Sequence, residues 1–336
     1  MNQALLEILS DGQFHSGENL GAALGVSRAA IWKQLQKLES LNIPLHSVKG
    51  RGYRLPDSVE LLNKESMAAH GFPFDIFDSC ELALSVDSTN SVMMQKAEQN
   101  IAQRHICFAE MQTFGRGRRG RQWLSPFARN LYFSVLWPFS QGIAAIQGLS
   151  LVVGLAVHKV LERNNIQGAG LKWPNDILVE QGGVFAKMGG ILIEITGDVT
   201  DNCQIVIGVG LNLDVCVQDQ AQLDQQAIGL KQLGYTGGRN KLAAQLVSEL
   251  VAALGEFNEK GFCAFQDKWN DADCFLGKPL TVLLPSSHID GAGCGNSETC
   301  LGPDAGDVLC RNVNTADEYF LHNVSLTYRA DSFSVG

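Results

Sequence analysis

Residues 111–126 read MQTFGRGRRGRQWLSP, with Gly115, Gly117 and Gly120 in the spacing GxGxxG. That spelling marks a dinucleotide-binding turn only when a strand feeds the glycines, a helix opens behind them and an acidic residue follows about twenty positions on to hold a ribose. A strand-like run, HICFAEM at 105–111, does precede the glycines. Behind them Trp123, Ser125 and Pro126 lead into a second strand pattern, and around the place for the ribose acid the chain reads VLWPFSQGIAA, without a carboxylate. The doubly wound nucleotide-binding reading fails on both counts. What remains is a loop in which Arg116, Arg118, Arg119 and Arg121 alternate with glycines. Flexible and strongly cationic, it calls for an anion.

The sequence on either side of this loop is rich in strand patterns. NLYFSVLW sets Leu131, Phe133, Val135 and Trp137 on one face, while KMGGILIEIT and CQIVIGVGLNLD are β-rich runs bounded by glycine and aspartate. One long helix is expected between them, over about residues 144–163. A mixed sheet backed by helices follows from this order. No GxxxxGK[ST] occurs, so a nucleotide bound here is not held by a P-loop. Within GLKWPNDILV, Lys172 ends an apolar strand pattern and is followed by Trp173, Pro174, Asn175 and Asp176. A lysine so placed is costly to bury without an anion. Its partner is either Asp176, as a strand-end ion pair, or a substrate carboxylate or phosphate.

The chain has 336 residues, 45% hydrophobic and 18% charged, which allows two or three domains and excludes disordered and fibrous classes. Its net charge of −9 argues against general nucleic-acid binding. The first 55 residues depart from this balance, with six basic residues against four acidic ones. There HSGENLGAALGVSRAAIWKQLQKLESL reads as two helices joined by a turn. Gly25 falls at a left-handed C-terminal position, Ser27 is an N-cap, and Ile31, Leu35 and Leu38 form an apolar stripe. IPLHSVKGRGYRLP then forms a basic hairpin with Lys49, Arg51 and Arg54. A helix-turn-helix followed by such a hairpin is a winged helix. Ser27, Arg28, Trp32, Lys33 and Gln36 lie on its outward helix face, where they reach base edges or phosphates while Lys49 and Arg51 of the wing meet the DNA backbone. The alternative is a winged helix used only for protein docking. LPDSVELLNKES, at 55–66, reads as a linker.

GLSLVVGLAV, at 148–157, is about half the length that spans a bilayer and reads as a core helix. The amino terminus lacks a basic, apolar and small-residue series, so no secretion signal is expected. Nine cysteines without a CxxC pair suit a reducing compartment, and the cytoplasm is the expected location. Cys294, Cys300 and Cys310 cluster without the close pair or histidine partner that a zinc site needs.

VDSTN (86–90), the Arg-rich stretch, LKWPND, KMGGILIEI and IGVGLNL, in this order behind a winged helix, resemble the bifunctional biotin protein ligases that also repress the biotin operon. The resemblance runs over about residues 4–280. It implies an α+β multidomain protein: a winged helix over 1–63, a central mixed sheet with helices of the class II synthetase-like ligase fold over 64–275, and a small SH3-like barrel over 276–336. The Cys- and Gly-rich GAGCGNSETCLGPDAGD in the last part looks like an insertion.

In that family biotin and ATP form biotinyl-5'-AMP, and the biotinyl group passes to a lysine of the biotin carboxyl carrier protein of acetyl-CoA carboxylase. The adenylate also serves as corepressor on operator DNA, with the protein as a homodimer. Carried over motif by motif, the resemblance places Ser88, Thr89, Asn90 and Gln112 at the ureido head. Gly115, Arg116, Gly117 and Arg118 then fold over biotin, with both arginines on carboxylate and phosphate oxygens, and Lys172 holds the reacting groups. Arg119, Trp123, Asn175 and Asn212 fall to the adenylate. Mg2+ is implied on the phosphates, with Asp176 as candidate ligand, and Ala227 stands where members often carry a tryptophan near the adenine. Neighbouring readings are a lipoate or octanoate ligase, a ligase with an idle winged helix and a regulator with a decayed ligase site. The GRGRRG and KWPND motifs, with Lys172, Arg116 and Arg118 intact, favour an active biotin enzyme.

Overall fold

The apolar periodicity of the amino terminus becomes three short helices in the computed structural model, which describes residues 3–41, 43–99, 103–139, 146–197, 203–223 and 225–276, and beyond them the backbone of four strands. Helix α1 (Gln3–Leu9) was not singled out in the sequence; α2 (Gly17–Leu24) and α3 (Arg28–Ser40) form the expected helix-turn-helix. Gly25 ends α2 at φ 68°, and the Ser27 hydroxyl accepts the Ala30 N–H at 3.2 Å to start α3. Ile31, Leu35 and Leu38 are buried with Leu5, Leu9 and Leu20. Strands β1 (His46–Val48) and β2 (Gly52–Arg54) form the wing hairpin. This small core is continuous with Met111, Phe127 and Ala128, at the base of the Arg-rich loop.

The segment expected as a linker is bound along its length. Leu55 and Leu62 are buried, and the Glu60 carboxylate accepts the backbone N–H groups of Arg239 and Asn240 at the start of α8 (Arg239–Lys260). Gly238, the residue before that helix, has no side chain to cap it, so the linker supplies the cap. Arg239, itself buried, donates to Glu110 Oε2 at 2.6 Å and to the Glu60 carbonyl at 2.7 Å, while Glu110 Oε1 accepts the Leu62 N–H at 2.6 Å. A buried pair broken on one side costs about 3–5 kcal/mol.

After α4 (Lys64–Ala69) come β3 (Ser79–Ala83), α5 (Thr89–Ala97), β4 (His105–Ala109) and β5 (Leu131–Phe139). Helix α6 (Leu149–Arg163) precedes β6 (Ala169–Lys172), β7 (Asp176–Gln181), β8 (Val184–Gly197) and β9 (Cys203–Leu211). A one-turn helix, α7 (Val217–Gln220), then α8 and α9 (Gln266–Ala272) follow. The sheet order is β3-β4-β5-β9-β8-β7-β6, with β3 and β4 parallel and all other neighbours antiparallel. Phe133, Val135, Ile207 and Val209 join α6 and α8 in the main core, and Met93 and Ala97 of α5 pack on Cys107, Leu136 and Val206. Covered on both sides, β5 is buried almost throughout, although its sequence suggested one apolar face. Helix α6 starts later than expected, at Leu149, because Gly148 turns left-handed at φ 81°; residues 144 and 145 lie outside the described residues.

Strands β10 (Pro279–Thr281), β11 (Ser297–Asp304), β12 (Asp307–Asn312) and β13 (Glu318–Leu321) pair in that order as an antiparallel meander. Strand β11 lies inside the stretch that looked like an insertion. Cys300 and Cys310 are paired positions of β11 and β12, and Cys294 lies outside the described residues.

Candidate functional site

A trench in the sheet face beneath α5 makes the site. On that face β9 offers Gly208 and Gly210, and β8 offers Gly190, paired directly with Gly210. Side chains arriving from elsewhere fill the space these glycines leave. A Cβ on Gly208 would stand 2.0 Å from Asn90 Oδ1, and one on Gly210 would stand 2.6 Å from the Trp123 indole. The cavity above has a volume of about 380 Å³, enough for an elongated small molecule.

One end is neutral and polar. Ser88, Thr89 and Asn90, at the start of α5, are all buried. Gln112 Oε1 accepts the Thr89 N–H at 2.8 Å and the Thr89 hydroxyl at 3.1 Å, and its Nε2 donates to the Ser125 hydroxyl at 2.8 Å. The Ser134 hydroxyl donates to Asn90 Oδ1 at 2.5 Å, and Asn90 Nδ2 donates to Glu194 at 2.9 Å.

The other end is cationic. Arg118, Arg119, Arg121, Lys172 and Lys187 line the cavity there against two carboxylates, Asp176 and Asp219. Both carboxylates are engaged, Asp176 with Lys187 at 2.7 Å and Asp219 with Arg129 at 3.0 Å. Lys172 faces Asp176 across the β6–β7 hairpin. Burial pushes the Lys172 ammonium below the ordinary lysine range; Asp176 opposes that fall, while Lys187 and Arg121 add to it. Burial likewise lowers the Arg118 guanidinium, which stays charged at neutral pH and donates to Asn175 Oδ1 at 3.4 Å. An incoming anion relieves this repulsion.

The Arg-rich loop is a closed hairpin over the trench. Gly117 N–H meets the Arg121 carbonyl at 2.8 Å, Trp123 N–H meets the Gly115 carbonyl at 2.8 Å, and Arg119 turns the tip at φ 56°. Arg116 and Arg118 reach opposite ends of the cavity: Arg116 pairs with Glu194 at 2.5 Å beside Asn90, and Arg118 lies near Asn175. Beyond the cations, Asn212 joins its N–H to the Met188 carbonyl at 2.7 Å and its Nδ2 to the Lys187 carbonyl at 3.3 Å. Leu223, Gln225 and Ala227 close that far end, with a methyl group at residue 227. Among the described residues no three His, Cys, Asp or Glu side chains converge as a metal cage, and Asp176 is occupied by Lys187. The residues present therefore do not fit a protein-held metal.

On the winged helix, Ser27, Arg28, Trp32, Lys33 and Gln36 are exposed on one side of α3, Trp32 to 51%, and Lys49 and Arg51 are exposed at the wing tip. Arg54 is turned inward, donating to the Pro56 carbonyl at 2.7 Å. The sequence reading missed Lys187 and Glu194. Both lie on β8, and only sheet pairing brings them to the site. The order of elements in the sheet gives Lys187 away, because β7 turns straight back into β8 beside Asp176.

A cationic trench for an activated acid, joined through a clasped linker to a winged helix, defines a class that couples carboxylate activation to DNA binding. Residues 82–212 match the Biotin/lipoate A/B protein ligase family, and residues 2–54 match an HTH domain family. The chain is 38% identical over 293 residues to the Bifunctional ligase/repressor BirA of Escherichia coli, covering 87% of this chain and 88% of that one. It is 33% identical to the Biotin--[acetyl-CoA-carboxylase] ligase of Mycobacterium tuberculosis over 62% of this chain and 76% of that one. Among solved structures, the biotin protein ligase of Aquifex aeolicus in complex with biotin and ATP superposes with a TM-score of 0.58 at 26% identity, covering 75% of this chain and all of that one. The chain belongs to the bifunctional biotin protein ligase and repressor family.

Proposed function

We propose that this protein joins biotin to ATP as biotinyl-5'-AMP, passes the biotinyl group to a lysine of a biotin carboxyl carrier protein, and represses biotin-synthesis genes when it holds the adenylate. The observation that carries the reading is the polarity of the trench, with amides and hydroxyls at one end and a ring of cations at the other. A bicyclic urea with a carboxylate tail matches that gradient. A biotin carboxylate oxygen attacks the α-phosphorus; the new O–P bond forms as the bond to pyrophosphate breaks. Lys172, Lys187 and Arg118 line one cavity, which supports a role in meeting the phosphate oxygens where negative charge gathers. The carrier's amine then attacks the anhydride carbonyl and AMP leaves.

Ser88, Thr89, Asn90 and Gln112 hold the head, Gly115 and Gly117 let the loop close, and Arg119, Trp123, Asn175 and Asn212 flank the adenylate. Mg2+ belongs to the same reading as a companion of the nucleotide, since no three metal-ligating side chains converge among the described residues. Ser27, Arg28, Trp32, Lys33, Gln36, Lys49 and Arg51 form the operator face, supported by their shared exposure. The division at 1–63, 64–275 and 276–336, the SH3-like closure of the carboxy-terminal meander, the homodimer and a cytoplasmic location belong to the same reading. Among the described residues no helix is long and apolar enough to cross a membrane.

The test is incubation with biotin, ATP and a carrier domain, followed by the carrier's mass and an operator-binding assay on the same sample. A biotinyl mass increment and adenylate-dependent operator binding are expected. An increment from lipoate or octanoate but none from biotin would reassign the substrate.

A further inference from the structure

We infer that Glu194 is a positioning residue for the biotin head: its carboxylate fixes the hydrogen-bond polarity of the pocket wall and anchors the loop that closes over it. The inference rests on the ligase reading. Strand β8 turns Gly190, Leu192 and Glu194 to one face, and the first two line the cavity. Glu194 stands one step beyond them, behind Asn90. Its two oxygens are divided between wall and loop. Oε2 accepts from Asn90 Nδ2 at 2.9 Å and Oε1 from Arg116 Nη2 at 2.5 Å.

The wall comes first. Asn90 is buried in the space that the missing Cβ of Gly208 leaves, 2.0 Å from where that atom would stand, and its amide has two orientations there. Turning it would set Oδ1 against the carboxylate. Glu194 therefore keeps Nδ2 toward itself and Oδ1 toward Ser134, whose hydroxyl proton is committed to Oδ1. Ser134 lies 2.7 Å from the Thr89 hydroxyl, and with the Ser134 proton on Asn90 the proton between these two oxygens comes from Thr89, shared with Gln112 Oε1 at 3.1 Å. Thr89 lines the cavity, and with its proton spent it meets a ligand as an acceptor. An acceptor is what a urea N–H requires.

The loop is the second arm. With Arg116 held at the head end and Arg118 near Asn175, the hairpin lies across the cavity as a strap. Neutralised by Glu194, Arg116 serves retention and leaves the phosphate end to Arg118.

The experiment uses full-length protein with an excess of carrier domain as acceptor, and pyrophosphate release is measured against biotin at saturating ATP and against ATP at saturating biotin. Glu194→Gln is expected to raise the KM for biotin about tenfold, as for a lost charge-assisted hydrogen bond, and to leave the KM for ATP and kcat nearly unchanged. Arg116→Gln is expected to raise it about threefold, as for a partly exposed pair, and to add nothing in the Glu194→Gln background. A biotin KM unchanged by Glu194→Gln, a parallel rise for ATP, or an Arg116→Gln effect of equal size in both backgrounds overturns the inference. Should Glu194→Gln not fold, Arg116→Gln decides alone, and an unchanged biotin KM counts against the strap. A wild-type protein that releases no pyrophosphate with biotin sinks the ligase reading instead.

Discussion

Two groups of cations divide this molecule. On the winged helix, Arg28, Lys33, Lys49 and Arg51 stand in water, where the proposed operator would meet them one phosphate at a time. In the trench, Lys172, Lys187 and Arg118 are half-buried and crowded along one cavity, where the proposed function sets a single small anion. The residue types are the same and the physics is not. Exposed charges are screened over a Debye length of about 8–10 Å near physiological salt, so operator affinity is expected to fall steeply with ionic strength. Sheltered charges act through fixed geometry, and adenylation is expected to be far less sensitive to salt.

The sharpest way to break this contrast is Lys172→Met, which keeps length and removes charge. Adenylate formation should fall about 10²–10³-fold, the scale of a lost electrostatic stabiliser, while biotin affinity changes much less. Single-turnover kinetics separates the outcomes. Normal adenylation with failed transfer would move Lys172 to the second step, and no change in either would reduce it to a structural partner of Asp176.

Next in size is Arg118→Gly, which removes a cation from the phosphate end at a cost of about 2–3 kcal/mol. Free adenylate should escape, and labelling of bystander lysines, read by mass spectrometry, should rise. Tight retention of the adenylate by this variant would contradict the role.

A smaller effect sharpens the burial argument. Lys172 works as a cation, and its folded pKa lies below that of a free lysine, so its proton is lost earlier as pH rises. The alkaline limb of kcat/KM for biotin should therefore fall below the pH at which an ordinary lysine titrates, and Lys172→Arg should shift that limb upward. A limb common to both proteins would assign it to another group.

Least in size is the wing. Lys49→Gln should flatten the slope of log operator affinity against log salt by about one. An unchanged slope would make the wing a docking surface.

The winged helix was legible because its signals are local: Ser27 three residues before the N–H that it caps, Gly25 at the end of its own helix, and an apolar stripe within thirteen residues. The rejection of a nucleotide-binding turn was legible for the same reason, and the loop does return as a hairpin toward β5. What stayed hidden depends on distance along the chain. Glu194 lies 78 positions from Arg116, and Arg239 lies 179 from Glu60, so neither pair leaves a mark in any short window. Lys187 lies beside a register shift in the pairing of β7 with β8, which interrupts the alternation that would have shown its side. The linker looked idle because polar residues usually mean solvent; Glu60 instead caps a helix.

That cap bears on how such proteins are cut and recombined. A ligase fragment begun at residue 64, the boundary that composition suggests, discards Glu60 and leaves the 22-residue α8 without its cap, a loss of about 1 kcal/mol, with Arg239 deprived of the Glu60 carbonyl as well. A fragment begun at residue 58 keeps both. Exchange of the DNA-reading part between relatives, by gene fusion or by the slower traffic of evolution, is therefore tolerated best where the crossover falls before Glu60, so that each catalytic unit inherits the tether that completes it.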